Sequence, residues 1–398
     1  MEHETKVGVV GTGFIGKGFV MALEGQQDLS LSRVLTRREI ESCSGFPRQE
    51  ALTNSVHELI DHSDVIVECS GDVIHATDVI DMALQALLPV VTMDCEFQVT
   101  TGSYFVDRGF LTEAEGDQPG CLAAMKEDVV QMGFRPLVYG NIKGFLNHEP
   151  TLQEMEFWSR KQGISLTQCT AFTDGTKVQM EQALVANGLG ADIAVPGLLG
   201  IASKEVETGA RMLADGAKHL GRPISDYVLA SDGPAGVFIA AEHDENQKPY
   251  LRYLKLGDGP YYILLKSFHL CHLEIVKTVR KILRGEGVLL NNGARPTVSV
   301  AAVAKNTLAR GDVISRGVGS FDVRGASVRI RENPDHVPIG LLQNAVVVRP
   351  VEPGQMLMLD DVELPESLAL EAWLAIRERS IEQEDHFDVW QEALSPTF

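Results

Sequence analysis

Short apolar runs and stretches with helical period take turns along the first third of the chain. The run 7–10, carried by Val7, Val9 and Val10, precedes a helix-like segment at 18–23. Residues 63–69 then read as an acidic turn leading into a buried strand, 74–88 place apolar residues at helical spacing, and 89–93 form the next strand. Strands that are apolar throughout and alternate with helices predict a parallel sheet covered on both faces. The middle third holds helical stretches at 121–132 and 178–186 and a short strand at 136–139, separated by polar glycine-containing loops. After Arg284-Gly285-Glu286-Gly287 the pattern changes to strand-like runs at 298–304, 308–314, 346–350 and 351–357. A strand, a glycine turn and a second apolar strand thus occur twice. Residues 366–379 predict an amphipathic helix, and the polar tail 380–398 is expected to be ordered only by docking.

Gly11-Thr12-Gly13-Phe14-Ile15-Gly16 joins the first strand to the first helix. Glycines at this spacing allow a tight turn, close approach of backbone to a pyrophosphate, and tight packing of helix on strand, so the segment predicts a dinucleotide site. The helix N-terminus would hold the phosphates through its amides and partial positive charge. About 20 residues further on, where an acid would bind the ribose of NAD, stands Thr36, followed by Arg37 and Arg38. Two guanidinium groups suit an adenosine 2′-phosphate, so NADP is expected rather than NAD. Cys69, Ser70 and Gly71 after the 63–69 strand, and residues 94–96 after the next, are expected along the nicotinamide end of the cleft.

Composition narrows the partners. The 398 residues carry 55 acidic and 35 basic side chains, a formal net charge of -20. Nucleic acid and anionic membrane are disfavoured, because binding them relies on lysine and arginine, and any anionic substrate needs a locally basic pocket. No apolar run approaches the roughly 20 residues that span a bilayer, and Met1-Glu2-His3-Glu4 lacks the features of a signal peptide, so a cytoplasmic protein is expected. Six cysteines, at 43, 69, 95, 121, 169 and 271, form no C-x-x-C pair and are expected to be reduced and mostly buried.

Three polar loops in the middle third supply lysines and aspartates of the kind that polarise a carbonyl and manage a proton: Gly116-Asp117-Gln118-Pro119-Gly120, Gly140-Asn141-Ile142-Lys143-Gly144 and Phe172-Thr173-Asp174-Gly175-Thr176-Lys177. Together with Leu256-Gly257-Asp258-Gly259-Pro260 and His269-Leu270-Cys271-His272-Leu273-Glu274, they resemble the homoserine-dehydrogenase-like oxidoreductases that bear a C-terminal SAF domain. The resemblance runs over nearly the whole chain. It implies an α/β protein with a Rossmann dinucleotide-binding domain at 1–125, a central α+β substrate and oligomerisation domain at 126–290, a small β-clip SAF domain at 291–366, and a C-terminal helix and tail at 367–398. One branch, the 1-deoxy-D-xylulose-5-phosphate reductoisomerase-like proteins, uses NADPH to rearrange and reduce a sugar phosphate. The D-x-x-G-x-D-x-x-x-K segment of homoserine dehydrogenases is missing here, which argues against homoserine.

The resemblance implies Lys143 and Lys177 as the groups that bind and protonate the substrate oxygen, with Asp174 orienting a lysine and Glu181 as a further acid. Glu96, Asp117, Gln118, Asn141, His269 and His272 are expected around the substrate. A reductoisomerase would also use Mg or Mn, for which Glu96, Asp117 and Asp174 are the candidate ligands. His269 and His272 would share a face if their segment were helical, yet no third ligand stands at a recognisable metal spacing. The expected activity is NADP-dependent hydride transfer to or from a small hydroxylated carbonyl compound in sugar metabolism, by a homo-oligomer. The alternatives are a homoserine-type dehydrogenase and a non-catalytic dinucleotide sensor.

Overall fold

A computed structural model of the chain describes residues 4–394, with side-chain surroundings through residue 382. Its first sheet is the parallel one that the apolar runs predict. Strands β1 (Thr5–Val10), β2 (Leu29–Leu35), β3 (Leu52–Thr53), β4 (Val65–Glu68), β5 (Val90–Thr92) and β6 (Leu111–Glu113) lie in the order β3-β2-β1-β4-β5-β6. Every neighbouring pair is parallel. Val7, Val9 and Val67 pack one face against Phe19 and Val20. Val10, Ile66 and Val90 pack the other against Val79, Ile80 and Ala83. Two buried faces account for the apolar runs at 7–10, 65–67 and 90–91 in β1, β4 and β5. The order reverses between β1 and β4, and the crevice beyond their carboxyl ends is where such sheets take ligands. This is a Rossmann-like domain.

The second domain is built on β7 (Arg135–Lys143), β8 (Ile201–Ala202), β9 (Ile224–Leu229), β10 (Val237–Glu242) and β11 (Tyr262–Lys266), in the order β11-β10-β7-β9-β8. Strand β7 is longer than the 136–139 expected: Gly140 and Asn141, read as loop, pair with Phe238 and Val237. A Cβ on Gly140 would lie 2.0 Å from the Phe238 ring, so this glycine makes room inside a sheet and is not a turn residue. The helix Thr176–Leu189 is buried along most of its length. Its Leu184 and Val185 share one core with Tyr139 and Val237 of the second sheet and with Val298, Val300 and Val323 of the last third.

In the last third, β12 (Val298–Ala304) pairs antiparallel with β14 (Val323–Arg329), while β13 (Val313–Ile314), β15 (Ala345–Val347) and β16 (Val362–Glu363) form a small sheet of their own. The strand expected at 351–357 is reduced to isolated bridges, Leu308 with Val351 and Val303 with Met356. Strand β14 went unread because Arg324, Gly325 and Ser327 break its apolar pattern. The terminal helix spans Leu368–Leu394, well beyond residue 379, and buries Ala369, Ala372, Trp373 and Ile376 against Ile330 and Leu341. Residues 395–398 of the expected tail lie outside the described residues. The helix Ile275–Leu283 returns to the first sheet, with Ile275, Val276 and Val279 in the core of Val7 and Val9. Among the described residues no helix is long and apolar enough to cross a membrane.

Candidate active site

Strand β1 stops at Val10, and the helix Phe14–Leu23 starts three residues after Gly11, with Gly13 at its N-cap. Gly11 has φ +106°, open to glycine and strained for other residues. A Cβ on Gly16 would sit 2.2 Å from the Gly11 carbonyl oxygen, whereas one on Gly13 would meet no atom within 4 Å. Gly11 thus makes the turn, Gly16 lets the helix pack onto it, and Gly13 leaves space before amides that no side chain caps. An uncapped helix N-terminus behind open space is a fit for a pyrophosphate.

That space belongs to a cleft of about 870 Å³. Thr12, Gly13, Phe14, Arg37, Arg38, Ser70 and Gly71 line it. Ile15 and Cys69 instead pack against the core of the first sheet. Thr36 is buried and keeps its hydroxyl 3.2 Å from that of Thr12, so it shapes the loop from behind. Arg37 donates through Nη2 to Asp72 Oδ2 at 2.7 Å. The Arg38 guanidinium has no partner among the described residues. Asp72, missed in the sequence, caps the helix Val73–Gln85 through the His75 amide, a role that an aspartate just before an amphipathic run signals. Burial works to raise its carboxyl, and the His75 amide and Arg37 outweigh it, leaving it below the usual range. The opposite wall also went unread: Ser165 and Thr167 come from the start of the helix Leu166–Thr173, Arg316 from the loop after β13 and Gly340 from a short turn at Ile339–Leu341, and no local pattern marks them.

Glu96 carries the cleft toward the second domain. Lys177 Nζ lies 2.9 Å from Glu96 Oε2, 3.0 Å from its Oε1, 3.2 Å from Cys95 Sγ and 3.6 Å from Asp117 Oδ2. Its side chain is 12% exposed. Burial alone would lower the ammonium, but its neighbours Cys95, Glu96, Asp117 and Glu181 reverse this and hold it well above its ordinary value. Burial likewise pushes Glu96 up, and Lys177 more than offsets it, so Glu96 stays below the ordinary carboxylate. Cys95 is different. Burial and Glu96 keep its thiol well above the ordinary value despite Lys177, so it acts as a small apolar residue.

One helical turn beyond Lys177, Glu181 Oε2 accepts from Lys143 Nζ at 2.9 Å and from Asn141 Nδ2 at 2.7 Å. Lys143, Asn141, Glu181 and Lys177 are therefore brought together. Burial holds the Glu181 carboxyl up against the pull of Lys143. The two histidines part ways, because residues 267–270 are not helical and only a short turn spans Cys271–Leu273. His269 stands 3.3 Å from Gln118 Nε2 and from the Gly116 carbonyl. His272 faces the glycine-loop helix, its ring edge-on to Phe14 at 6.4 Å, and lines the dinucleotide cleft, not the substrate group. Asp174 orients neither Lys143 nor Lys177: it binds Lys305 at 2.6 Å. Lys266, unremarked in the sequence, holds Glu274 at 2.8 Å and Glu115 at 3.2 Å.

Behind Glu96, the ends of β4, β5 and β6 bring Glu68, Asp94 and Glu113 into the interior, and burial pushes all three carboxyls up. The proposed metal ligands do not converge. Glu96 and Asp117 are engaged by Lys177 and Asp174 by Lys305, and among the described residues no group of three His, Cys, Asp or Glu is placed to hold a metal ion.

Residues 116–275 match the family model of the oxidoreductase DRL catalytic domain, and residues 11–99 match that of the homoserine dehydrogenase NAD binding domain. A dinucleotide-binding domain joined to an oxidoreductase catalytic domain makes the chain an NAD(P)-dependent oxidoreductase. Comparison with curated proteins gives no match. Among solved structures, a probable dehydrogenase from Thermotoga maritima aligns at 13% identity over 72% of this chain and 91% of its own, with a TM-score of 0.43. UDP-N-acetylglucosamine 3-dehydrogenase from Acidithiobacillus ferrooxidans aligns at 12% over 73% and 93%, TM-score 0.44. Scyllo-inositol dehydrogenase from Lactobacillus casei, solved with NAD(H) and scyllo-inositol, aligns at 12% over 72% and 92%, TM-score 0.41.

Proposed function

We propose that the chain uses NADPH in preference to NADH to reduce the carbonyl of a small polyhydroxylated compound, a sugar derivative or sugar phosphate, by direct hydride transfer, or to run the reverse oxidation. The observation that carries this reading is Lys177, a buried ammonium clamped by Glu96 and Asp117 beside a cleft that begins at the glycine loop. The nicotinamide, when bound, supplies or takes the hydride. Lys177 keeps its proton at neutral pH, and a fixed ammonium in a water-poor site stabilises the alkoxide that develops as a carbonyl is reduced. Glu96 and Asp117 hold it in place, and Lys143, braced by Glu181, delivers the proton to the product oxygen. Asn141, Gln118 and His269 offer donors and acceptors for substrate hydroxyls. A rearrangement before reduction calls for a divalent cation, and the candidate carboxylates are taken up by lysines instead, Glu96 and Asp117 by Lys177 and Asp174 by Lys305, which favours hydride transfer alone.

The preference for NADPH rests on Arg38, without a partner among the described residues, in the cleft beside Arg37. We read residues 291–366 as the β clip, contributing Ser315, Arg316 and Gly340 to the far wall so that it caps the cofactor. A homo-oligomer also belongs to this reading, because β11 is an edge strand with Leu265 and nearby Phe268 half exposed; light scattering in solution checks it. The central test is a titration with NADPH and NADH followed by a screen of sugar phosphates and hydroxyaldehydes for NADPH oxidation. Lys177→Met should lower turnover by about 10²–10³-fold and leave NADPH binding intact. NADH binding at least about tenfold tighter than NADPH, or turnover untouched by the substitution, overturns the proposal.

A further inference from the structure

A second cavity, of about 600 Å³, shares no lining residue with the dinucleotide cleft. Its walls come from the loop after the helix Thr176–Leu189, from the turn before β9, from the segments flanking β12 and β14, and from Ser380 of the terminal helix. Among the described residues, Arg222, Arg295, Arg329 and Arg331 line it together with Asp192 and Glu332. A concavity so rich in guanidinium groups stands out in a chain whose formal net charge is -20.

The arginines are not equivalent. Asp192, nearly buried, is gripped from both sides, by Arg222 Nη1 at 2.8 Å and by Arg329 Nε at 3.1 Å. Arg329 also donates to the Ile193 carbonyl at 2.5 Å and to Glu332 at 3.1 Å, so its fork is committed and serves as a fixed positive wall. Arg222 is braced by Asp192 and still 55% exposed. Arg295 is exposed and has no side-chain partner among the described residues. Guanidinium forks recognise phosphate and carboxylate oxygens in pairs, and a braced fork loses less freedom on binding than a mobile one. The volume falls within the range of about 300–1,000 Å³ that holds small molecules.

We propose that this cavity is a second ligand site, for a small polyanion bearing a phosphate or several carboxylates, with Arg222 and Arg295 as its recognising groups. The second domain, the C-terminal strands and the terminal helix all contribute to it, so occupancy ties these parts together and stabilises the folded chain.

The test uses the full chain saturated with NADPH, because phosphates also fit the glycine loop. Inorganic phosphate, pyrophosphate and citrate, at matched ionic strength and with glucose as a neutral control, are titrated calorimetrically and scored for thermal stabilisation. At least one anion binds and raises the midpoint; phosphate-selective or citrate-selective binding then identifies the ligand chemistry. Arg295→Ala weakens that binding about tenfold or more, Arg295→Glu abolishes it, and Arg222→Ala combined with Arg295→Ala abolishes it too, all with unchanged affinity for NADPH. The proposal falls if no anion binds, if binding disappears once NADPH is saturating, or if Arg295→Glu binds as well as the parent chain.

Discussion

Lys305 donates to Asp174 Oδ2 at 2.6 Å and to the Ser320 carbonyl at 2.6 Å, so a lysine just past β12 closes on an aspartate of the second domain. The other oxygen of Asp174 accepts the Thr176 amide at 2.8 Å, at the start of the helix that carries Lys177. The pair therefore links the C-terminal strands to the placement of the proposed catalytic lysine. Both side chains are shut off from water, and burial already pushes the Asp174 carboxyl up. Lys305→Met should cost about 3–5 kcal/mol of stability, since it leaves that carboxyl buried without its cation. Pairing it with Asp174→Asn should recover much of the loss. Urea denaturation of the two single variants and the double variant checks this, and a double variant no more stable than Lys305→Met contradicts it.

Gly13 and Gly16 divide the glycine loop into a binding part and a folding part. Gly16→Ala drives a methyl into the Gly11 carbonyl, so it should destabilise the chain and lower its melting midpoint. Gly13→Ala meets nothing in the protein, and its backbone, at φ -74° and ψ -170°, suits alanine. It should fold as well as the parent and bind NADPH at least about tenfold more weakly, because the methyl occupies the place of the pyrophosphate. Thermal melts and a fluorescence titration separate the two effects.

The parallel sheet was legible because both of its faces are buried, which gives β1, β4 and β5 the apolar runs 7–10, 65–67 and 90–91. The glycine loop was legible because Gly11 and Gly16 answer local steric demands and Gly13 keeps the space before the helix open. Strand β14 was not, since its Ser327 and Gly325 face Gln179 and Thr176 and satisfy hydrogen bonds in place of apolar packing. Lys143, Lys177 and Glu181 could be named from their loops and spacing, but the partners that define Lys177, Glu96 and Asp117, lie more than 50 residues away from it. Asp174 shows the cost of that gap: it was expected to orient one of the two candidate lysines, and the fold gives it Lys305.

Arg37 and Arg38 make unequal contributions to the expected NADPH preference. Asp72 already engages Arg37, so a 2′-phosphate has to compete with a carboxylate there, whereas Arg38 has no such rival. Arg38→Ala should weaken NADPH about tenfold and leave NADH nearly unchanged, as befits loss of one charge-assisted contact. Asp72→Asn should tighten NADPH by releasing Arg37. Equal losses for both cofactors in Arg38→Ala would place the arginine outside the 2′-phosphate site.

His336 sets an acid limit on the C-terminal part of the chain. Its ring lies between the Asn333 carbonyl at 2.6 Å and the Ser299 hydroxyl at 2.8 Å, edge-on to Trp373. Burial lowers it to about 4 from an ordinary 6.5. As pH falls from 6.5 toward 4 the unfolded chain takes up a proton that the folded chain refuses, so stability present at neutral pH is lost across that window. The full loss is roughly 3 kcal/mol. His336→Leu should be less stable at pH 7, having stranded its partners, and should show a flatter decline toward pH 4 when urea midpoints are followed with pH.

Lys177 and Glu96 predict the complementary profile. Glu96 titrates below its ordinary value, so its contribution to stability is complete above about 4.5 and fades as pH falls through the folded value. Lys177 titrates above its ordinary 10.5, so its contribution is complete below that value and fades only as pH rises through the folded one. Between these limits the ammonium and carboxylate persist, and kcat should owe no pH dependence to this pair near neutrality. Lys177→Met should lower kcat by about 10²–10³, the scale seen when one preorganised donor to a developing oxyanion is removed. Lys177→Arg keeps the charge but cannot place a single donor between Glu96 and Asp117, so it should recover little. Full activity in Lys177→Arg would show that bulk charge suffices and that the clamp geometry plays no part.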